Sequence, residues 1–339
     1  MPSFERGARR GLGGRAMSVK VSICIPTYKR PEEAVRAVES CMAQNHRPLE
    51  ILVGDDSPDG RTERALAAVA APEDVEVIYT RHEPRKGQGA NVRHLFEQAT
   101  GDRLLLLHDD DTLLPGGLDA LVEALDRHPN VTCAYGTQVV VSPAGDPHPE
   151  LTASVNSDYH RTPERTGVQD SSLAAGLLQQ IPNNAFLVDA NLARDVGYGS
   201  ETEVGTGVDA DFGLRLGEAA PRESFLLIDT PVSTYQHSEE SVGRTGYGQR
   251  RYLLYEKVRQ VDVQTEGEAA ARALTLERLA PQSALLAALD GQRRLAAGIV
   301  RTHPRLFRPQ RLGSIMVAVA IVSPSVARAV LRRRDAARA

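Results

Sequence analysis

"RLLLLHDDDTLLPGGL", residues 103 to 118, runs from four leucines straight into a histidine and three aspartates. A short, unbroken apolar run bounded by a polar turn reads as a strand buried on both faces, as strands of parallel sheets are. Three adjacent carboxylates at the end of such a strand repel one another, and the repulsion is worst beside a low-dielectric core. Either the turn is well solvated, or something cationic belongs there. The position of the acids, and the company they keep elsewhere in the chain, decides between these.

Upstream, "VKVSICI" is rich in β-branched residues and stops at Pro26, and Pro31 with Glu32 and Glu33 marks a helix start. Val35, Val38 and Met42 give that helix one apolar face. "LEILVG" is a second strand, ending in Asp55-Asp56-Ser57, and "VEVIYT" is a third. Val92, Leu95, Phe96 and Ala99 recur at i, i+3, i+4, i+7, as do Leu118, Leu121, Val122 and Leu125. Strands alternating with amphipathic helices predict an α/β fold with a doubly wound, mostly parallel sheet. Ligands of such sheets sit beyond the carboxyl ends of the strands. Three of those ends carry Pro26-Thr27-Tyr28, Asp55-Asp56 and Asp109-Asp110-Asp111, which are therefore expected to line one crevice.

The bulk properties narrow the class of function. The chain has 339 residues, 41% hydrophobic and 25% charged, ordinary for a globular protein with a sizeable core. A formal charge of −4 from 44 acidic and 40 basic residues gives no support for a nucleic-acid surface. Cys24, Cys41 and Cys133 are odd in number and far apart, which fits buried, reduced thiols in a cytoplasmic protein. Residues 1–17 are basic and glycine-rich without an apolar stretch; they read as a disordered tail, with Met17 as an alternative start. From 141 to 170 the pattern dissolves into Pro, Ser, Thr, Asp and His, which predicts a long connection, a mobile or acceptor-facing loop. "NAFLVD", "GVDADFGLRLGEA" and "FLLIDTPVSTYQH" then form a second organised stretch, and beyond 246 the chain turns Ala-, Leu- and Arg-rich with helical spacing. The expected organisation is a tail (1–17), a first α/β half (18–140), a second half of the same domain (141–245) and a helical C-terminal subdomain (246–339).

Two local patterns are set aside. "DDSPDG" at 55–60 mimics a calcium loop, but its twelfth position is Leu66 where a bidentate Glu is required. "GQGANV" at 87–92 lacks the third glycine of a dinucleotide fingerprint and does not closely follow a strand. The aspartates point instead to Mg²⁺ or Mn²⁺, which are held by one or two carboxylates together with substrate phosphates and relieve the charge repulsion. The chemistry so indicated is a metal-bridged diphosphate.

"VSICIPTYKRPE", "ILVGDDSPDG", "RKGQGANVRHLFEQATGD" and "LLLLHDDDTLLPGGL" resemble, in order and spacing, the family 2 glycosyltransferases of GT-A fold, over residues 18 to 245. The resemblance implies an inverting transferase that uses a nucleotide-diphosphate sugar, with a UDP-sugar favoured, and makes 18–140 the nucleotide-sugar-binding half and 141–245 the acceptor-binding half. It assigns Pro26, Thr27, Tyr28, Arg30, Lys86, Asn91 and Asp109 to the nucleotide and Asp56 to its base. It gives the metal to Asp110 and Asp109, with His237 of "STYQHSEESVGR" approaching the metal or the diphosphate. The frame set by Pro115 puts His108 where the family often has its first Asp, either as a substitute ligand or as a group behind the ligands. Asp111 is left to hydrogen-bond sugar hydroxyls or to structure the turn. "GVDADFGLRL" resembles the family's catalytic helix start, so Asp209 is the implied base, Asp211 is assigned to the sugar side and Arg244 to a phosphate clamp.

Two other readings stay open. A lipid-phosphate acceptor would bring the enzyme to a membrane surface, and "IMVAVAIVSPSVARAVLRRR", apolar then basic, suits an interfacial helix as well as one packed on the body or in a homodimer. Its apolar run, 315–322, falls short of the roughly 20 residues that span a bilayer. A non-catalytic nucleotide-sugar module is the other reading, although a pure binder needs no base. Neither the sugar nor the acceptor, whether saccharide, metabolite, protein or lipid, is written in a motif.

Overall fold

The computed structural model describes residues 19–237, 250–308 and 312–336. The expected tail at 1–17 and Arg244 lie outside the described residues. Eight strands form one sheet: β1 (Val21–Thr27), β2 (Leu49–Asp55), β3 (Val75–Arg81), β4 (Arg103–Leu106), β5 (Cys133–Val141), β6 (Gly167–Val168), β7 (Phe186–Asp189) and β8 (Phe225–Gln236). Their order is β3-β2-β1-β4-β7-β5-β8-β6. β3, β2, β1 and β4 run parallel, β7 enters antiparallel to both β4 and β5, and β8 pairs parallel with β5. The fold is thus α/β with a mostly parallel sheet. Helices α1 (Pro31–Met42), α2 (Arg61–Ala67), α3 (Gln88–Gln98) and α4 (Gly117–Arg127) connect the first strands. In the second half, α5 (Pro149–Asp158), α6 (Ser172–Leu177), α7 (Ala190–Val196), α8 (Glu201–Val204) and α9 (Val208–Ala219) follow in turn.

The leucine run does what its composition demands. Leu105 and Leu107 enter the core shared with α1 and α4, Leu104 and Leu106 the core shared with α3 and α9, and all four are fully buried. β1 continues one residue past Pro26, where a stop is expected. Leu107 donates its N–H to Cys24 on the β4 side, and β4's pairing ends there, so the missing N–H of Pro26 falls where no ladder bond is needed.

The loop expected over 141–170 is a correction. β5 runs to Val141, α5 spans Pro149–Asp158, and a 3₁₀ turn follows at Pro163–Arg165. α5 has no apolar stripe, and Asn156 is its buried residue. Polar bonds hold it instead: Val140 N–H donates to Thr152 Oγ1 at 2.9 Å, and Asn156 Nδ2 donates to the carbonyl of Gln138 at 2.8 Å.

The C-terminal region is helical, with helices at Tyr252–Gln260, Glu266–Leu289, Arg293–Thr302, Leu312–Val322 and Pro324–Ala336. The longest opens on a capping box between Thr265 and Glu268. Glu268 also accepts from Ser171 Oγ at 2.8 Å, and Thr275 Oγ1 donates to the Leu177 carbonyl at 2.6 Å, so this helix is bonded to both ends of α6. No helix among the described residues is long and apolar enough to cross a membrane.

Candidate functional site

The ends of β1, β2 and β4 deliver their polar residues to one side of the sheet. Each of the three aspartates after β4 meets a different environment. Asp109 is buried, accepts from Thr27 Oγ1 at 2.8 Å and pairs with Arg30 Nη1 at 3.0 Å. Asp110 pairs with the same Arg30 nitrogen at 2.7 Å, and its side chain is 26% exposed. Asp111 is buried, accepting from the Gln236 N–H at 2.7 Å and from Asn184 Nδ2. A merely solvated turn does not bury two of its three acids. Burial and the neighbouring Asp110 push the Asp111 carboxyl up to about 8, against the pull of His108. Burial also raises Asp109, and the Arg30 guanidinium opposes it.

Arg30 stands on a special piece of backbone. Lys29 before it has φ +58°, and its N–H donates to Ser57 Oγ at 2.7 Å; Pro31 after it starts α1. The turn aims the guanidinium across the ends of β1 and β4. Tyr28, beside it, is exposed, with the Arg85 guanidinium 4.1 Å from its ring centroid, a cation–π distance.

Asp56 sits beyond β2, buried, accepting the backbone N–H groups of Lys86 at 3.0 Å and Gly87 at 2.8 Å. Lys86 meets it through the backbone. Asn91 lies inside the protein: its Nδ2 donates to the Gly54 carbonyl at 2.8 Å, and its Oδ1 is 3.1 Å from His82 Nε2.

Asp209 comes from the first turn of α9, 98 residues beyond Asp111 in sequence. Its Oδ1 accepts from the Tyr198 hydroxyl and lies 3.8 Å from His108 Nε2. An acid in the first turn also suits the helix dipole, but the cap position is Gly207, and Asp209's side chain bonds Tyr198. Tyr198 is buried against Phe212, ring centroids 4.9 Å apart; burial and the nearby Asp209 raise its pKa well above the usual range, so it stays a hydrogen-bond donor. Asp211 is buried and spent on Arg215, at 2.8 Å, and on Lys257, which ties α9 to the first C-terminal helix.

His108 is enclosed by carboxylates. Burial disfavours its charged form, but Asp209, Asp111, Asp110 and Asp109 outweigh that and raise its pKa above the ordinary value. Its Nε2 is buried without a hydrogen-bond partner among the described residues. His108, Asp110 and Asp111 each offer a ligand atom within 4.8 Å of the others. Two carboxylates with a nearby imidazole fit a hard to borderline divalent cation. This group shares Asp110 with the trio expected from the sequence; Asp109 faces Arg30, and His237, at the end of β8, donates its N–H to the Val141 carbonyl at 2.8 Å.

Behind these residues lies a network with no motif to announce it. Arg161 is buried and pairs with no carboxylate among the described residues; it donates to Gln138 Oε1 at 3.1 Å, Asn156 Oδ1 at 3.2 Å and the Gln180 carbonyl at 3.4 Å. Gln138 Nε2 reaches Asn184 Oδ1 at 3.0 Å and Asn183 Oδ1 at 3.3 Å, and the two asparagines reach Asp111 and His108.

Residues 22–171 match the sequence model of Glycosyl transferase family 2. The chain is 29% identical over 104 residues to a Campylobacter jejuni protein named GalNAc(5)-diNAcBac-PP-undecaprenol beta-1,3-glucosyltransferase; the match covers 31% of this chain and 34% of that one. It therefore spans about a third of that relative's length. Among solved structures, Staphylococcus aureus TarS 1-349 in complex with UDP-GlcNAc superposes with a TM-score of 0.64 at 15% identity, over 93% of this chain and 92% of that one. A mannosyltransferase from Pyrobaculum calidifontis, in complex with GDP-Man and Mn²⁺, superposes with a TM-score of 0.55 at 15% identity, over 92% and 87%. Residues 22–171 are thus similar to glycosyl transferase family 2, and the chain has the fold of these GT-A structures with a helical C-terminal region.

Proposed function

We propose that this protein moves a sugar from a nucleoside-diphosphate donor to an acceptor hydroxyl in one in-line displacement, with inversion at the anomeric carbon. The observation that carries this reading is the approach of Asp209, from α9, to the acid turn after β4, across the 3.8 Å between its Oδ1 and His108 Nε2. A carboxylate so placed can take the acceptor's proton as its oxygen attacks C1, while the leaving diphosphate lies over the acids. General-base help of this kind is worth about 10²–10⁴-fold.

Asp109 and Asp110, with the Asp111 carboxyl within reach of Asp110, are the residues that would hold a divalent cation, Mn²⁺ or Mg²⁺. When bound, such an ion stabilises the negative charge that grows on the leaving diphosphate. Arg30 neutralises the same two carboxylates and is exposed enough to turn toward the diphosphate. Tyr28, Thr27 and the loop anchored on Asp56 orient the nucleotide. The fold neighbours hold UDP-GlcNAc in one case and GDP-Man in the other, so donor choice is a question for experiment. Thermal-shift binding of UDP, dTDP, GDP and CDP, each with and without Mn²⁺ or Mg²⁺, is the test. Stabilisation by one nucleotide, dependent on metal and lost in Asp110→Ala, is expected; metal-independent stabilisation that survives Asp110→Ala would remove the role of the acids.

A lipid-linked acceptor is the acceptor class best supported. The Campylobacter relative is named for an undecaprenol-linked compound. In this chain, residues 301–339 hold nine of the 40 basic residues and one of the 44 acidic ones, a local net charge of +8 in a protein of −4. The same region leaves Ile315, Val322, Val326 and Val330 exposed, Val322 by 76%, although Met316, Val317, Ala320, Ala327 and Leu331 are packed inward. Exposed apolar side chains in so basic a stretch of sequence suit shallow docking on an anionic bilayer, and the charge repels a second copy of the same stretch. Co-sedimentation of the full chain with anionic but not neutral vesicles, weakened by Val322→Glu, is expected. Equal recovery with both kinds of vesicle would refute the docking.

A further inference from the structure

The direction of every hydrogen bond behind the acid turn follows from one residue. Arg161 is donor-only, since a guanidinium has no acceptor. Burial pushes its pKa down to about 10, which leaves it charged at neutral pH. Its Nη2, 3.1 Å from Gln138, must therefore meet the amide oxygen, so the Gln138 nitrogen is the end that points onward. That nitrogen donates to the oxygens of Asn183 and Asn184, at 3.3 and 3.0 Å. Ser233 Oγ donates to the same Asn184 oxygen at 3.0 Å. Both asparagines are thereby turned nitrogen-outward. Asn184 Nδ2 donates to the Asp111 carboxylate, and Asn183 Nδ2 faces His108 Nδ1 at 3.3 Å.

An amide nitrogen has only protons to offer, so it pairs with His108 Nδ1 only when that nitrogen is the acceptor; against the carboxylates that favour a charged ring, this contact selects the tautomer with its proton on Nε2. This is the nitrogen that is buried without a partner, 3.8 Å from Asp209 Oδ1. Catalytic hydrogen bonds are often long before substrate arrives and tighten in the working complex. The same Oδ1 already accepts from the Tyr198 hydroxyl. Once the 3.8 Å gap closes in the working complex, a second donor on that oxygen would hold the carboxylate's orientation and leave Oδ2 to the acceptor.

We infer that His108 is a positioning residue for Asp209, donating from Nε2 to Oδ1 in a tautomer imposed by Arg161 through Gln138 and Asn183, and that it is not a metal ligand through that nitrogen. A protonated Nε2 has no lone pair for a cation, although His108 stands at the position where the resemblance admits a ligand and its ring lies close to Asp110 and Asp111. The inference rests on Asp209 being the base.

Nitrogen-15 NMR of the full chain labelled in histidine tests the tautomer directly, with His108→Asn assigning the signal. A proton on Nε2 and none on Nδ1 is expected, with the signal moved toward the other tautomer in Arg161→Met. A proton on Nδ1, alone or together with Nε2, would overturn the inference. Mn²⁺ titration followed by thermal shift supplies a second readout. His108→Gln, which keeps an N–H on that side, is expected to leave Mn²⁺ affinity within twofold and to lower kcat about tenfold at unchanged donor KM. A tenfold loss of Mn²⁺ affinity would make His108 a ligand instead. An active Asp209→Asn would refute the base while leaving the tautomer result standing, so the two failures are separable.

Discussion

The two sides of the crevice are built by different means. On the side proposed for the donor, β1, β2 and β4 are parallel and in register, and their ends carry charge outward on short turns: Thr27, Arg30, Asp56, Asp109 and Asp110 are placed by where the ladders stop. On the side proposed for the acceptor the sheet turns antiparallel at β7, and Asp209 arrives on a helix that no ladder fixes. There, position is set by side chains: Tyr198 holding Asp209, Asn184 holding Asp111, and Arg161 with Gln138 behind them. Backbone order positions one half of the site, and a buried polar network positions the other. Such networks are high-stakes, because each unsatisfied member costs more than its bond contributes.

The largest expected effect probes the acceptor side. Asp209→Asn keeps the shape and can still bond Tyr198, but it cannot take a proton. Transfer is expected to fall by about 10²–10⁴-fold with donor binding retained. Steady-state kinetics alongside nucleotide-induced thermal shifts measures both. A variant with wild-type turnover would take the base away from α9 and leave the comparison with a donor side only.

The donor side depends on the opposite end of its strands, and acid exposes this. Glu50 on β2 is buried beside Ser22 of β1, which donates to it, and pairs with Lys20 at 2.7 Å; the Thr100 N–H and hydroxyl add two more bonds. Burial alone would raise its pKa, but the bonds from Lys20, Ser22 and Thr100 win and hold it at about 2. A folded-state pKa below the unfolded one gives stability that is complete above about pH 4.5 and drains away as pH falls toward 2. The contribution is on the order of 2–3 kcal/mol. Urea unfolding at pH 6 and pH 3 should show Glu50→Gln closing most of its gap to wild type at the lower pH. A gap that stays constant with pH would mean that the bonds act through shape and not charge.

The same division explains what could be read in the sequence. Much of the parallel half was legible because the ends of β1, β2 and β4 are marked by proline or aspartate, and α1, α3 and α4 by an apolar stripe such as Val92, Leu95 and Phe96, buried on the face toward the sheet; α2, which buries only Thr62 and Leu66, was not read. α5 was not legible, because its helix is held by Thr152 and Asn156, and polar anchors leave no 3.6-residue apolar period. Asn183, Asn184, Gln138 and Arg161 are spread over 47 positions of sequence and meet only in space. Amide networks have no spacing rule, so nothing in "IPNNAFLVD" singled them out. Asp211, whose neighbourhood in the motif suggested the sugar, is engaged by Arg215 and Lys257, the latter from a helix 46 residues away in sequence.

The smallest effect is the sharpest test of the network side. Tyr198→Phe removes one oxygen and keeps the ring, which packs 4.9 Å from Phe212 and 6.1 Å from Phe96. The backbone at Tyr198 is also fixed independently, its carbonyl accepting from Arg93 Nη2 at 2.8 Å and Nε at 3.1 Å. Little should move, so the loss is that of one donor to a carboxylate, about 1.5 kcal/mol, or roughly tenfold in rate. If Tyr198 orients Asp209, that tenfold falls on kcat and leaves donor KM unchanged, because a misaimed base slows proton removal without touching the nucleotide. If Tyr198 serves only the core, the variant lowers Tm and leaves kcat alone. The acceptor side would then be held in place by packing after all, and its contrast with the donor side would shrink to the one helix that carries Asp209.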